Sequence, residues 1–374
     1  MTPPILVPMN DLKRRFAPLA DDLKSVIAGV LESGSYILGP ACAAFETAFE
    51  TAFAAYCGTM HCVGVANGTD ALELTLRAVG VKPGDRVATV ANAGMYTSVA
   101  ILAIGAKPVY VDVDAGDLTM SVKDLARVLE SKKVAAVVAT HLYGKMAAMA
   151  DVLRVAGAVP VIEDCAQAHG AMRDGRRAGA WGKAGCFSFY PTKNLGALGD
   201  GGAVVIDDPD LAARLRALRQ YGWDRKYHAV TAGGRNSRLD EIQAAILLAM
   251  LPRLDGWNAN RRGIVQQYRA RLATVDVRLP AIGNDLDHVA HLCVIRSKAR
   301  ERLRQTLADA GIATDIHYPI PDYRQPAVAS ALDDLRPLPE TEAATGEILT
   351  LPCFPEMTTE EIERVAAALA RGLD

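Results

Sequence analysis

Between residues 62 and 163, short apolar runs alternate with stretches long enough to be helices, and this alternation restricts the fold more than any other feature of the chain. Residues 62–66, 86–90, 108–113, 134–140 and 160–163 read as strands, and 71–79, 96–104, 122–131 and 147–156 as helices. Strands that are apolar along their whole length and are returned by helices predict a parallel sheet covered on both faces. Such sheets bind ligands beyond the carboxyl ends of their strands. Asn67, Asp164 and Ser188 lie at or near those ends, so residues far apart in sequence are expected to converge.

The remaining pattern divides a 374-residue chain into two lobes, since one core rarely grows to that size. Helical spacing over 11–33 and 40–56 precedes the sheet, and helices over 211–219, 239–251 and 254–272 follow it. The polar segment 222–238 needs support from outside itself. Past residue 277 the character becomes mixed, with a strand at 291–296, a helix at 298–310, a strand at 314–317 and a closing helix at 359–373. We therefore expect an N-terminal segment and large domain over 1–250 and a small α+β domain over 251–374. The formal net charge of −2 gives no electrostatic case for nucleic acid or an anionic membrane. The most apolar long window, 87–105, carries Thr89, Asn92, Thr97 and Ser98 and suits a strand and helix better than a membrane span. Seven cysteines without a C-x-x-C pair, and no secretory leader in residues 1–16, suggest reduced thiols in a cytoplasmic protein.

Chemistry concentrates in residues 186–202, where a single lysine, Lys193, stands between the aromatic run 187–190 and Gly196, Gly199, Gly201 and Gly202. A surface lysine in a loop is the ordinary reading of such a residue. Its company argues otherwise. Asn67-Gly68-Thr69 at a strand-to-helix turn offers N–H groups and a hydroxyl at a positive helix end, which suits either an anion or a plain N-cap. Asp164, closing an apolar run, is either an N-cap or the partner of a buried cation. A lysine nucleophile, a carboxylate for a ring nitrogen and a glycine turn for a phosphate are the parts that hold pyridoxal phosphate. Ser188 lacks a G-x-S-x-G context, the glycines do not form G-x-G-x-x-G, and His288 with His291 has no acidic or thiol partner nearby, so neither a hydrolase, a dinucleotide site nor a metal site is favoured. His169 reads as a ligand or as a satisfied polar residue beside a cleft.

These landmarks resemble the DegT/DnrJ/EryC1/StrS family of sugar aminotransferases. The resemblance rests on residues 31–34 with 38–40, 67–72, 141–144, 163–170, 187–202 and 234–240, taken in order along almost the whole chain. It implies an α/β fold of the pyridoxal-phosphate transferase type I class. In that fold a mainly parallel seven-stranded sheet lies between helices and a smaller α+β domain follows. It further implies that Lys193 is the covalent anchor of the cofactor, that Asp164 meets the ring nitrogen and Gln167 the 3′-oxygen side, and that Gly68, Thr69 and Ser188 hold the phosphate. Asn236 reaches the phosphate of a second copy, so a homodimer with shared sites is implied. His169, Tyr190, His317 and Tyr318 are the implied substrate contacts. The family's ring-stacking aromatic falls at Gly94 here, which leaves Met95 and Tyr96 as candidates for that contact. The implied reaction passes an amino group from L-glutamate to a nucleotide-linked keto-sugar by ping-pong kinetics. Residues 141–144 and 192–202 resemble members acting on dTDP-linked 3-keto-6-deoxyhexoses, with 4-keto-sugars or a scyllo-inosose type as alternatives. Relatives that dehydrate sugars carry histidine at the lysine position, so Lys193 argues against that activity, and a non-catalytic regulatory cofactor-binding protein is the other rival.

Overall fold

The computed structural model describes residues 6–38, 42–273, 275–279, 286–332 and 335–373. Gly39 and Pro40, used above as a landmark and a helix start, lie outside them. Seven strands form one sheet: β1 (His61–Val65), β2 (Arg86–Val90), β3 (Lys107–Val111), β4 (Ala136–Thr140), β5 (Val161–Asp164), β6 (Ala184–Ser188) and β7 (Gly202–Ile206). Their order is β1-β7-β6-β5-β4-β2-β3. The pairs β2·β3, β2·β4, β4·β5 and β5·β6 are parallel, while β7 runs antiparallel to both β1 and β6. The sheet is thus mainly parallel, as expected. The antiparallel member was not legible, because the apolar run 203–206 follows a glycine-rich turn and carries no mark of its direction.

Register explains how the strand ends meet. Asp164 ends β5 opposite Thr140 of β4 and Cys186 of β6, and Ser188 ends β6 opposite Gly202, which itself faces Val65 at the end of β1. One edge of the sheet therefore gathers the residues that follow β1, β4, β5 and β6.

Helices cover both faces. Phe49 and Phe53 of Cys42–Cys57 pack with Phe187, Phe189 and the helix Glu241–Met250 on one side, in edge-to-face contacts such as Phe53 on Phe187 at 5.0 Å. Gly68–Ala78 and Pro209–Leu218 close the other face through Leu72, Leu76, Leu211 and Leu215. Fully burying such side chains contributes roughly 1.5–3 kcal/mol each.

The long helix Leu254–Arg271 leads to a second core. There β8 (Cys293–Arg296) pairs antiparallel with β9 (Ile348–Leu351), backed by Arg300–Asp309 and by Thr359–Arg371, which opens with a capping box between Thr358 and Glu361. The strand expected at 314–317 is not formed: Asp315 makes one bridge to Thr350. The segment is needed instead as an arm reaching the sheet. Within 222–238 a small hairpin joins Trp223–Arg225 to His228–Ala229.

Candidate active site

A cavity of about 980 Å³ opens over the carboxyl edge of the sheet. Gly68, Thr69, Tyr96, Asp164, Gln167, Ser188, Tyr190, Lys193, His317 and Tyr318, all singled out from sequence, line it. Met95, His169 and Asn236 do not.

One end of the cavity is built by close backbone approach. Asn67 caps Gly68–Ala78 through its Oδ1, which accepts from the Asp70 N–H at 2.8 Å. Capping and an anion seat thus coexist, because the neighbouring N–H groups and the Thr69 hydroxyl remain at the positive helix end. A Cβ at Gly68 would sit 2.6 Å from the Ser188 Cβ, and one at Gly202 would sit 2.4 Å from the Asn67 carbonyl. Only hydrogen fits at either position, and this lets the Ser188 hydroxyl stand beside the helix N-terminus.

The end that holds Asp164 and Gln167 is polar on one side. Asp164 is 5% exposed, accepts from the Thr97 hydroxyl (3.1 Å) and the Ala166 N–H (3.2 Å), and has no ion pair among the described residues. No helix begins at Asp164, which removes the N-cap reading. A buried carboxylate without a cation, facing a cavity, is costly unless a charged or donating ligand meets it. Gln167 is held by the Tyr143 N–H, which donates to its Oε1 at 2.6 Å.

Lys193 follows β6, its N–H bonded to the Tyr190 carbonyl and its own carbonyl accepting from Arg15 Nη1 at 3.0 Å. It is half-buried, and it lines the cavity. Enclosure pulls its amine down from the usual 10.5 to about 8, against the opposing charge of Asp164. An amine near neutrality is the form a carbonyl nucleophile needs.

His169 lies behind the wall, fully buried with its ring against Phe187 and Phe189, and burial holds it uncharged by lowering it to about 3. Met95 is held by its backbone, donating its N–H to Asp322 Oδ1. Asn236 stands exposed in the loop whose Ser237 hydroxyl accepts from the Ala66 N–H. Arg235 of that loop pairs with Asp70 and Glu73. His288 and His291 do not form a metal pair: His288 Nδ1 accepts from the Ala290 N–H, whereas His291 shares a hydrogen bond with Asn194 and lines the cavity. Met9, Asn10, Thr140 and Asp315 also line it. Nothing local in the sequence marks them, because they arrive from an N-terminal arm, a strand end and the arm of the second core.

The family model of the DegT/DnrJ/EryC1/StrS aminotransferases matches residues 19–370. The chain belongs to this family. A dTDP-3-amino-3,4,6-trideoxy-α-D-glucose transaminase of Streptomyces venezuelae is 42% identical over 97% of this aminotransferase and 95% of its own length. A UDP-N-acetyl-3-dehydro-α-D-glucosamine 3-aminotransferase of Acidithiobacillus ferrooxidans is 40% identical, with both chains covered completely. The crystal structure of S. venezuelae DesV in complex with a ketimine intermediate superposes with a TM-score of 0.93 at 41% identity, covering 100% of this aminotransferase and 99% of DesV. The cofactor of this aminotransferase is pyridoxal phosphate, and the glycine-lined helix end, the unpaired Asp164 and the low-pKa Lys193 fit it.

Proposed function

We propose that this aminotransferase moves an amino group from L-glutamate to C3 of a nucleotide-linked 3-keto-deoxyhexose, with dTDP as the carrier. The observation that carries the reading is that Lys193 and Asp164 line one cavity whose far end is the Gly68–Thr69–Ser188 anion seat. Amination at C3 is supported by the two named relatives, one dTDP-linked and one UDP-linked, which share that position and differ in the nucleotide.

The bound cofactor supplies a carbonyl for the donor amine and a ring that withdraws electrons from the carbon being deprotonated. Lys193 would hold the cofactor through its Nζ, and the freed Nζ would be the base that accepts the donor's α proton and carries it as an ammonium. Asp164, kept in place by Thr97, holds the ring nitrogen protonated. Gln167 orients the ring from its 3′-oxygen side. Ser188, Thr69 and the Gly68 N–H bind the phosphate. Tyr190 and His317 line the same cavity and would contact the sugar.

The active unit in this reading is a homodimer. Asn236, exposed on its loop, reaches the phosphate of the second copy, and the exposed Tyr221, Tyr227 and Val230 on the same stretch supply an apolar surface to bury. No helix among the described residues is long and apolar enough to cross a membrane, and the six described cysteines are buried and unpaired. Both support a cytoplasmic setting.

Incubation with glutamate followed by a panel of dTDP- and UDP-linked 3-keto and 4-keto hexoses, with product NMR, tests the proposal. A C3 amine on a dTDP-linked sugar is expected. Turnover confined to a 4-keto sugar would refute the regiochemistry, turnover confined to UDP would refute the carrier, and an absorbance unchanged by glutamate would refute transamination.

A further inference from the structure

The cavity wall has a gap at position 94, and a tyrosine from the C-terminal part of the chain fills it. Gly94 has φ +73°. A Cβ there would stand 2.8 Å from both Cδ1 and Cε1 of Tyr318 and 3.0 Å from its Cγ, closer than real carbon contacts allow. Any side chain at 94 would therefore force the Tyr318 ring or the local backbone to shift.

That ring is held from several directions. It stands edge-to-face against Tyr96, with centroids 5.9 Å apart and planes at 76°. Its hydroxyl accepts from Gln167 Nε2 at 3.1 Å, and the orientation of that amide is set because Gln167 Oε1 accepts the Tyr143 N–H. The Tyr143 hydroxyl donates to the carbonyl of His317, while His317 Nδ1 shares a 2.8 Å hydrogen bond with Thr350 of β9. Tyr143 thus touches both the amide that meets the Tyr318 hydroxyl and the residue preceding Tyr318. Of the two nearer candidates, Met95 does not line the cavity, and Tyr96 meets Tyr318 with its ring nearly perpendicular.

We propose that Tyr318 supplies the aromatic wall of the cofactor ring site, in the room left by Gly94, and that Gly94 is the residue that admits it. The proposal rests on the cofactor-binding reading of this cavity. It makes cofactor affinity depend on the arm carrying His317 and Tyr318, and so couples the second core to the sheet. Aromatic side chains at 94 and at 318 become mutually exclusive solutions to one packing problem.

The test uses the full-length protein stripped of cofactor and titrated with pyridoxal phosphate, reading the absorbance of the lysine-linked cofactor and the quenching of protein fluorescence. Tyr318→Ala is expected to weaken binding about tenfold, the scale of one aromatic contact. Tyr318→Phe, which keeps the ring and loses only the hydroxyl, should stay within about threefold of wild type on the scale of one neutral hydrogen bond. Gly94→Tyr alone should bind weakly, and the double variant Gly94→Tyr with Tyr318→Ala should recover most of the loss. If Gly94→Tyr fails to fold because its backbone is left-handed, the two Tyr318 variants still decide. A Tyr318→Ala protein with unchanged cofactor affinity and a raised KM for the sugar alone would overturn the proposal, because Tyr318 would then be a substrate contact only. If wild type bound no pyridoxal phosphate, the functional reading itself would fall.

Discussion

An amine must be neutral to attack an aldehyde, and the surroundings of Lys193 set how often it is. Burial lowers it from 10.5 to about 8, and the charge of Asp164 opposes that fall. At pH 7 an amine of pKa about 8 is neutral in roughly one molecule in ten, against about one in three thousand for an ordinary lysine. Capture of pyridoxal phosphate by the cofactor-free protein should therefore run about 300-fold faster at pH 7 than an unperturbed lysine would allow. Its rate should climb about tenfold per pH unit up to pH 8 and then level off. Asp164→Asn removes the charge that holds the amine up, so its plateau should begin at lower pH. The same burial bears on stability. The folded value lies below the unfolded one, so between about 8 and 10.5 the unfolded chain binds more protons, and the stability of the cofactor-free protein should rise with pH in that window and not below it. Stopped-flow absorbance from about pH 6 to 10 on both proteins is the assay. A wild-type rate still climbing tenfold per unit past pH 9, or a plateau moved upward in Asp164→Asn, would refute the argument.

Two further changes probe the scaffold. Gly68→Ala places a methyl 2.6 Å from the Ser188 Cβ, so the hydroxyl and the helix end must part. Cofactor affinity should fall about tenfold or more, the scale of one charge-assisted hydrogen bond, in a protein that still folds by circular dichroism. Arg219, 6% exposed, donates through Nη1 to Glu46 Oε1 (2.6 Å), Glu50 Oε1 (3.0 Å) and the Gly64 carbonyl (2.6 Å). Arg219→Met strands the buried Glu46, while Glu50 keeps Arg216 at 3.1 Å, and should cost about 3 kcal/mol in urea unfolding at pH 8. Burial already raises Glu46 to about 7, so the native state binds more protons than the unfolded chain below that pH, and the deficit should shrink as the pH falls toward 5.

The elements were legible where the physics is local. Residues 86–90 and 122–131 form a strand and a helix with the bounds read from sequence, because an apolar run between turns and a 3.6-residue repeat each have one compact solution. The Lys193 stretch, Asp164 with Gln167 and the Asn67 turn were legible because each chemical group sits beside its own strand end. The strand expected at 314–317 failed for the opposite reason: its residues serve contacts with Thr350 and Tyr143 from other parts of the chain, not a ladder of its own. His169 follows the polar Asp164 and Gln167 in sequence but has two phenylalanine rings beside it in space.

By itself, then, the sequence determined the mainly parallel α/β frame and set Lys193, Asp164 and the Asn67–Gly68 turn at strand ends, since these placements follow from periodicity and from residue types. Only the tertiary structure decided the reversed direction of β7, the presence of Met9, Asn10 and His291 in the cavity wall, and the partner of Gly94. Those depend on which distant segments share a volume, and no local pattern encodes that. Position 94 read as a missing aromatic in one dimension, and in three it is the space that Tyr318 occupies.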